Sequence, residues 1–140
     1  MHMKLWTLIS CLLFAGLISA QSVEGIWKTI DESGEALSHV EICKKDGKLH
    51  GKIVKLLTSP EDELCTECPG DKKNEPLLGM EILWDLEDQG DEYDDGEIMD
   101  PKNGKVYSCK LWLEAENELI VRGYLGFSML GRSQTWYRVR

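Results

Sequence analysis

Short stretches in which apolar and polar residues alternate recur along most of this chain. In residues 105–114, KVYSCKLWLE, the side chains of Tyr107, Cys109, Leu111 and Leu113 fall on one face of an extended strand. A period of two predicts a half-buried β-strand rather than a helix. Comparable strand-like stretches occupy residues 23–30, 38–45, 47–57, 79–86, 96–100, 117–126 and 131–140.

The connections between these stretches favour an antiparallel arrangement. In DPKNG, residues 100–104, Pro101 presets a turn and Asn103-Gly104 tolerates the positive φ of a tight hairpin. Residues 59–76 form a long polar connection that Pro and Gly interrupt, and no long helix is predicted. Roughly eight strands with short turns predict one all-β domain, residues 21–140, built as an antiparallel barrel or sandwich.

The N-terminal segment has a different pattern and predicts export. Residues 1–20 contain Lys4, an apolar run from Leu5 to Ile18 and a small residue, Ala20, which is the layout of a cleavable signal peptide. The apolar run is short for a membrane span, so no transmembrane segment is expected in the mature chain. Cleavage near Ala20 would place the protein in the periplasm or outside the cell. LISC, residues 8–11, leaves a lipoprotein cleavage at Cys11 as an alternative.

The net charge of the chain limits the kinds of partner that we expect it to bind. The chain has 25 acidic and 16 basic residues and a net charge of −9, and removal of Lys4 with the signal makes the mature charge −10. Nucleic-acid binding requires a basic footprint that this composition lacks, so no nucleic-acid partner is predicted. Anionic membrane surfaces are disfavoured for the same reason.

Four cysteines remain after the signal: Cys43, Cys65, Cys68 and Cys109. An even number in an exported chain predicts two structural disulfides, with three possible pairings. The CTEC motif at 65–68 leaves a redox-active pair open, although it does not sit at a helix start. Zinc bound by all four cysteines is a further alternative, but the second CxxC of a zinc knuckle pair is missing.

Neither a metal site nor a catalytic site emerges from the charged residues. The acidic run at 85–100 holds nine acids but places Gly96 or Lys102 where a calcium-binding EF-hand loop needs glutamate. A solvated loop is the favoured interpretation, with an irregular calcium site left open. The mature chain has only His39 and His50 and no G-x-S-x-G motif. We therefore predict no enzyme, metal or cofactor, although a paired-carboxylate hydrolase stays open.

A tryptophan and an arginine at opposite ends of the mature chain indicate how the sheet closes. GIW, residues 25–27, lies on the first predicted strand, and Arg138 lies on the last. The first and last strands meet when a sheet closes into a barrel, so Arg138 is placed to lie over the face of Trp27. A G-x-W with a terminal arginine is typical of lipocalin or calycin barrels.

Several further motifs occur together: GKI at 51–53, PLLGMEIL at 76–83, IMDPKNGKVYSCKL at 98–111 and VRGYLGFSMLGRSQTWYR at 121–138. With GIW they resemble a family of small exported bacterial proteins catalogued as a domain of unknown function. The resemblance covers nearly the whole mature chain and implies a lipocalin-like β-barrel. It implies no activity and no catalytic residues.

The final segment supplies the candidate ligand-binding residues, because it combines charged, polar and aromatic groups on strands of a small barrel. Small barrels can enclose one ligand, and Arg122 and Arg132 are candidates to clamp a carboxylate or phosphate head. The alternative is that these arginines pair with acids such as Glu97 or Asp100 inside a filled barrel. The predicted set is Arg122, Tyr124, Arg132, Gln134 and Trp136.

Two functions from different classes follow. The leading prediction is non-enzymatic binding of a small amphipathic or acyl ligand in a barrel cavity. The alternative is a structural or protein-interaction module of the cell envelope with a filled barrel. A cavity would favour the first, and a packed interior the second.

Overall fold

The computed structural model describes residues 22–126 and 129–140. The predicted signal peptide at 1–20, with the alternative cleavage at Cys11, lies outside the described residues. Within them, no helix is long and apolar enough to cross a membrane.

Eight antiparallel strands form a closed barrel in which each strand pairs with the next and β8 pairs with β1. The predicted all-β, lipocalin-like barrel of about eight strands is therefore confirmed. Each predicted strand-like stretch overlaps one observed strand. The strands are β1 Gly25–Ile30, β2 Ala36–Lys45, β3 Lys48–Leu56, β4 Glu81–Asp88, β5 Tyr93–Met99, β6 Val106–Ala115, β7 Glu118–Tyr124 and β8 Gly131–Arg138.

The simple up-and-down order separates the connections into two ends. The connections β1–β2, β3–β4, β5–β6 and β7–β8 lie at one end, which we call the open end. The shorter connections β2–β3, β4–β5 and β6–β7 lie at the other, the closed end. Between β3 and β4, residues 57–80 form a connection that includes the long one predicted at 59–76, with only one 3-10 turn at Gly70–Lys72.

The interpretation of the acidic run as a solvated loop is wrong for most of its length. β4 continues to Asp88 and β5 begins at Tyr93, so only residues 89–92 connect the strands. The strands tolerate this charge because basic residues on neighbouring strands face it. Lys48 lies 3.2 Å from Glu87 of β4, and Lys110 lies 4.0 Å from Glu92, which immediately precedes β5.

The prediction of two disulfides is also wrong, because the described chain contains one, Cys65–Cys68. Cys43 is exposed on β2, opposite His50 of β3, whereas Cys109 is fully buried in β6, so the fold keeps these two apart. Burial raises the pKa of the Cys109 thiol to about 12. The disulfide also removes Cys65 and Cys68 from any four-cysteine zinc site.

Candidate ligand-binding site

A cavity of about 1300 Å³ occupies the open half of the barrel. Its wall is largely apolar and comes from all eight strands together with residues of the connections, such as Leu77 between β3 and β4. The apolar and aromatic lining includes Ile53, Leu56, Ile82, Ile98, Met99, Tyr107, Val121 and Trp136.

The size of the inward-facing residues explains why only half of the barrel is hollow. In the closed half, large side chains fill the interior and are fully buried. Towards the open end, the inner positions of β1, β2 and β7 carry Thr29, Ser38 and Gly123. Small residues leave space that their strand neighbours cannot fill. The filling residues of the closed half are Trp27, Leu49, Leu86, Leu111 and Leu119.

Two polar pairs lie on the cavity wall. The hydroxyl oxygens of Thr29 and Ser38 are 2.7 Å apart, and both residues are buried. Trp136 donates from Nε1 to Gln134 Oε1 at 3.3 Å. A hydroxyl group both donates and accepts hydrogen bonds, so the Thr29–Ser38 pair can also form a hydrogen bond with a ligand.

Charged residues concentrate at the cavity mouth. Arg132 at the start of β8 forms an ion pair with Glu32 of the β1–β2 connection. Asp31 accepts hydrogen bonds from the hydroxyl and backbone of Ser33 and from the backbone of Glu35, which together with nearby Lys102 lower the pKa of Asp31. The charged lining residues are Asp31, Glu32, Glu63, Glu67 and Asp100 with Lys102, Lys105 and Arg132.

Three of the five predicted ligand-binding residues lie on the inner face. Arg132, Gln134 and Trp136 of β8 are register partners of residues 123, 121 and 119 of β7, which face the interior. Register partners in an antiparallel pair project from the same face of the sheet. All three predicted residues line the cavity, with Trp136 buried and Arg132 at the mouth.

The structure does not bring Arg122 to the same face as Arg132. Arg122 is the register partner of Lys110 and Ser133, on the outer face of the barrel, and donates from Nη1 to Ser133 Oγ at 3.2 Å. The two arginines therefore do not form the predicted clamp for an anionic head. Arg132 pairs with an acid, as the alternative from the sequence expected, but the acid is Glu32 and not one of the two named examples, Glu97 and Asp100.

Tyr124 borders the cavity mouth, but its hydroxyl is bonded to a residue outside the predicted ligand-binding set. It pairs in register with Ser108, and its hydroxyl donates to Asp94 Oδ1 at 2.7 Å. Burial, followed by the interaction with Asp94, raises the pKa of the Tyr124 hydroxyl to about 12. Its hydroxyl is therefore neutral at physiological pH and occupied by the β5 carboxylate.

Trp27 and Arg138 meet where the barrel closes. They are register partners on β1 and β8, and the Arg138 guanidinium carbon lies 4.3 Å from the centre of the Trp27 ring. The guanidinium also donates to the carbonyl oxygens of Ser22, Glu24 and Glu116 at 2.6, 3.1 and 2.9 Å. This pair lies at the closed end, away from the cavity.

Sequence reasoning missed Thr29, Ser38 and the lining residues of the β3–β4 connection. The available signal was a small hydroxyl residue at the inner-face position nearest the open end of β1 and of β2. Within the described ranges, no group of three His, Cys, Asp or Glu side chains has a geometry suited to a metal ion.

Residues 25–138 match the model of a family described as "Uncharacterized protein conserved in bacteria (DUF2147)". The chain belongs to this family. The resemblance inferred from the sequence motifs is thereby confirmed. No curated protein matches the chain.

Among solved structures, the fold is similar to protein HP1028 from the human pathogen Helicobacter pylori, which is described as belonging to the lipocalin family. The TM-score is 0.77 at 20% sequence identity, and the match covers 86% of this chain and 85% of HP1028. At this identity the likeness establishes a lipocalin-like fold and nothing about the ligand.

Proposed function

We propose that this member of the DUF2147 family is an exported, non-enzymatic binding protein that holds a small amphipathic or acyl ligand in its barrel. The cavity of about 1300 Å³ is the observation that carries the proposal. Ligand pockets of proteins have volumes of roughly 300–1,000 Å³, so this space accommodates a complete small amphiphile. A filled structural barrel, the alternative function, would leave no such space.

The distribution of polarity orients the ligand. The interior end of the cavity is formed by apolar and aromatic groups such as Val121 and Trp136, whereas the charged lining residues lie at the mouth, on the connections and at the start of β8. An apolar tail gains free energy by leaving water, about 25 cal/mol for each Å² buried, whereas a charged head loses hydration there. The tail therefore enters first, and the head stays at the mouth.

A cavity-filling substitution tests the proposal. Val121 and Ile120 are adjacent β-branched residues on β7, but Val121 faces the cavity and Ile120 pairs with Trp112 and Thr135 on the outer face. We expect Val121→Trp to weaken binding of the uncharged fluorescent probe N-phenyl-1-naphthylamine by about tenfold or more, because the new ring occupies the tail site. Ile120→Trp serves as the matched control and should bind like the original protein.

Titration of probe fluorescence, with circular dichroism to establish that each variant is folded, measures the effect. A folded Val121→Trp variant with unchanged affinity would contradict a ligand in the cavity.

Native mass spectrometry of protein recovered from an envelope fraction tests whether the protein carries a natural ligand and whether its signal peptide is removed. We expect an adduct that is lost on gentle delipidation. We also expect the mass of a polypeptide whose first residue is near Gln21. An uncleaved chain would contradict export by a cleaved signal.

A further inference from the structure

We propose that the β3–β4 connection, residues 57–80, is a gate on the cavity and that the Cys65–Cys68 disulfide holds it closed. We call this segment the strap. The inference rests on the proposed binding function and adds its regulation: oxidation of the cysteine pair retains the ligand, and reduction releases it.

The strap forms part of the cavity wall rather than an unrelated surface loop. Its residues Glu63, Leu64, Cys65, Thr66 and Glu67 all border the cavity at the mouth. A ligand whose tail lies inside the barrel therefore passes these residues when it leaves. Displacement of the strap would widen the mouth without disturbing the eight strands.

Backbone hydrogen bonds fix the base of the strap, the residues that adjoin β4, to the barrel. Ile53 of β3 donates to the carbonyl of Met80 at 2.9 Å, and Gly79 donates to the carbonyl of Ile53 at 2.7 Å. Inside the strap, the Cys65 amide donates to Glu75 at 2.8 Å, and the Asn74 amide donates to Cys65 at 2.8 Å. The base therefore stays attached when the tip moves.

The tip of the strap, residues 65–68, rests against the β5–β6 turn, residues 100–105. Cys65 Sγ lies 3.6 Å from the carbonyl oxygen of Pro101. Gly104 has a φ of +71°, and a methyl group placed on it would overlap the carbonyl of Glu67 and lie 3.4 Å from Cys68 Cα. Glycine at this position permits both the turn conformation and the close approach of the strap.

The disulfide supplies most of the buried apolar anchorage of the tip. From residue 57 to residue 79, the buried hydrophobic residues are only Cys65 and Cys68, at 2% and 3% exposure. Cys68 Sγ packs 3.6 Å from Met80 Sδ on the core side, while Cys65 packs towards Pro101. The bond thus joins the two contacts of the tip, and a segment with few buried apolar contacts opens easily once such a constraint is lost.

The chemical step is thiol–disulfide exchange with a dithiol reductant. One thiolate of the reductant attacks a sulfur of the pair and forms a mixed disulfide, and its second thiol then displaces the protein thiol. The Cys65–Cys68 bond breaks, a disulfide forms in the reductant, and two electrons and two protons end on the two protein thiols. Because both sulfurs are buried, attack requires a transient opening of the strap, so the oxidised gate persists until a reductant is supplied.

Dissociation kinetics test the gate directly. Mature protein loaded with N-phenyl-1-naphthylamine is mixed with excess unlabelled lipid vesicles, and probe release is followed before and after treatment with dithiothreitol. We expect reduction to raise the release rate by about tenfold, which is the factor for a change of 1.4 kcal/mol in the barrier. The Cys65→Ser/Cys68→Ser double variant should release at the fast rate with or without reductant.

The remaining cysteines provide the first control. Cys43 is exposed on β2, outside the strap. Cys43→Ser should therefore keep both the slow oxidised rate and its response to dithiothreitol. Loss of the response in this variant would overturn the assignment of the switch to Cys65 and Cys68.

A second pair of variants tests the gate without altering a thiol. Gly104 and Gly34 both have positive φ, +71° and +88°, but nothing lies within 4 Å of a methyl group on Gly34. Gly104→Ala should release the probe rapidly even when oxidised, because the added methyl displaces Glu67. Gly34→Ala carries comparable backbone strain and should release slowly. If Gly104→Ala does not fold, the release rates of the oxidised and reduced forms of the original sequence test the gate.

The outcomes separate the gate from the binding function. Probe binding with the same release rate in the oxidised and reduced forms would overturn the gate and leave the proposed function intact. Failure of both forms to bind the probe or any component of a lipid extract would overturn the proposed function, and the gate with it.

Discussion

At the residue scale, Arg138 links the last strand to the segment that precedes the first. Its guanidinium stacks on Trp27 and donates to three backbone carbonyls, two of which belong to the segment that precedes β1. β1 and β8 share only two register pairs, Trp27 with Arg138 and Lys28 with Tyr137. One side chain therefore compensates for a short strand pairing at the seam of the barrel.

We expect Arg138→Met to lower the free energy of unfolding by about 2–3 kcal/mol, because it removes charge-assisted hydrogen bonds and a cation–π contact while keeping the apolar stem. Urea denaturation measures the change. Arg140→Met is the matched control, since Arg140 is exposed and contacts Glu116 and Asn117 by side chain only. It should change stability by less than about 1 kcal/mol. Equal effects of the two substitutions would contradict a special role for Arg138.

At the scale of elements, the close approach of β4 and β5 depends on Gly96. A methyl group on Gly96 would lie 2.5 Å from the carbonyl oxygen of Trp84 and 2.7 Å from the amide nitrogen of Leu86. These are backbone atoms, which cannot move aside without shifting β4. Asp85 and Asp95 both have positive φ, and the β4–β5 pairing is interrupted beside Gly96, between Trp84–Glu97 and Glu87–Asp94.

Gly96→Ala is expected to destabilise the protein by about 2–3 kcal/mol through this overlap. Gly123→Ala on β7 provides the comparison, because its methyl group would meet its nearest neighbour, Tyr107 Cβ, at 3.4 Å. Gly123→Ala should cost no more than about 1 kcal/mol in urea denaturation. A neutral Gly96→Ala would show that β4 can shift outward freely.

The strands were predictable because alternation directly reports which face is buried. Tyr107, Cys109 and Leu111 indicated β6 in this way, and β6 runs from Val106 to Ala115. The start of β5 was not predictable, since Tyr93 and its acidic neighbours resemble a loop when their basic partners on other strands are unknown. Long-range partners, rather than local preference, make that segment a strand.

The candidate site was only partly predictable for a related reason. Parity within a strand showed that Arg132, Gln134 and Trp136 share a face. It did not show which face of β7 joins them, because the register between two strands depends on the length and geometry of their connection. The observed pairing of Arg132 with Gly123 and of Ser133 with Arg122 places the two arginines on opposite faces.

At the scale of the whole molecule, the cavity arises from a distribution of side-chain volume that no local pattern reveals. Both halves of the barrel have the same alternation, but Leu86 and Leu119 fill one half while Thr29 and Gly123 leave the other open. Whether a barrel is hollow depends on all inward-facing residues of a layer together. The sequence therefore indicated the barrel, and the structure added the cavity.

The charge of the whole molecule and of the mouth bears on the ligand head. Five carboxylates and three basic groups line the cavity, and Arg132 is paired with Glu32. The chain as a whole carries a net charge of −9. An anionic head therefore meets repulsion at the mouth, whereas an amine gains attraction there, in contrast to the carboxylate or phosphate clamp expected from the sequence.

We expect dodecylamine to displace N-phenyl-1-naphthylamine at about tenfold lower concentration than dodecanoate at neutral pH and low salt, and the ratio to shrink at high ionic strength. The double variant Glu63→Gln/Glu67→Gln should reduce the preference, because both carboxylates lie at the mouth. Asp91→Asn/Glu114→Gln changes the net charge equally but alters exposed residues outside the cavity lining, so it separates local attraction from overall charge. Stronger displacement by dodecanoate would instead make Arg132 the head-binding group, which would require its ion pair with Glu32 to open for the ligand.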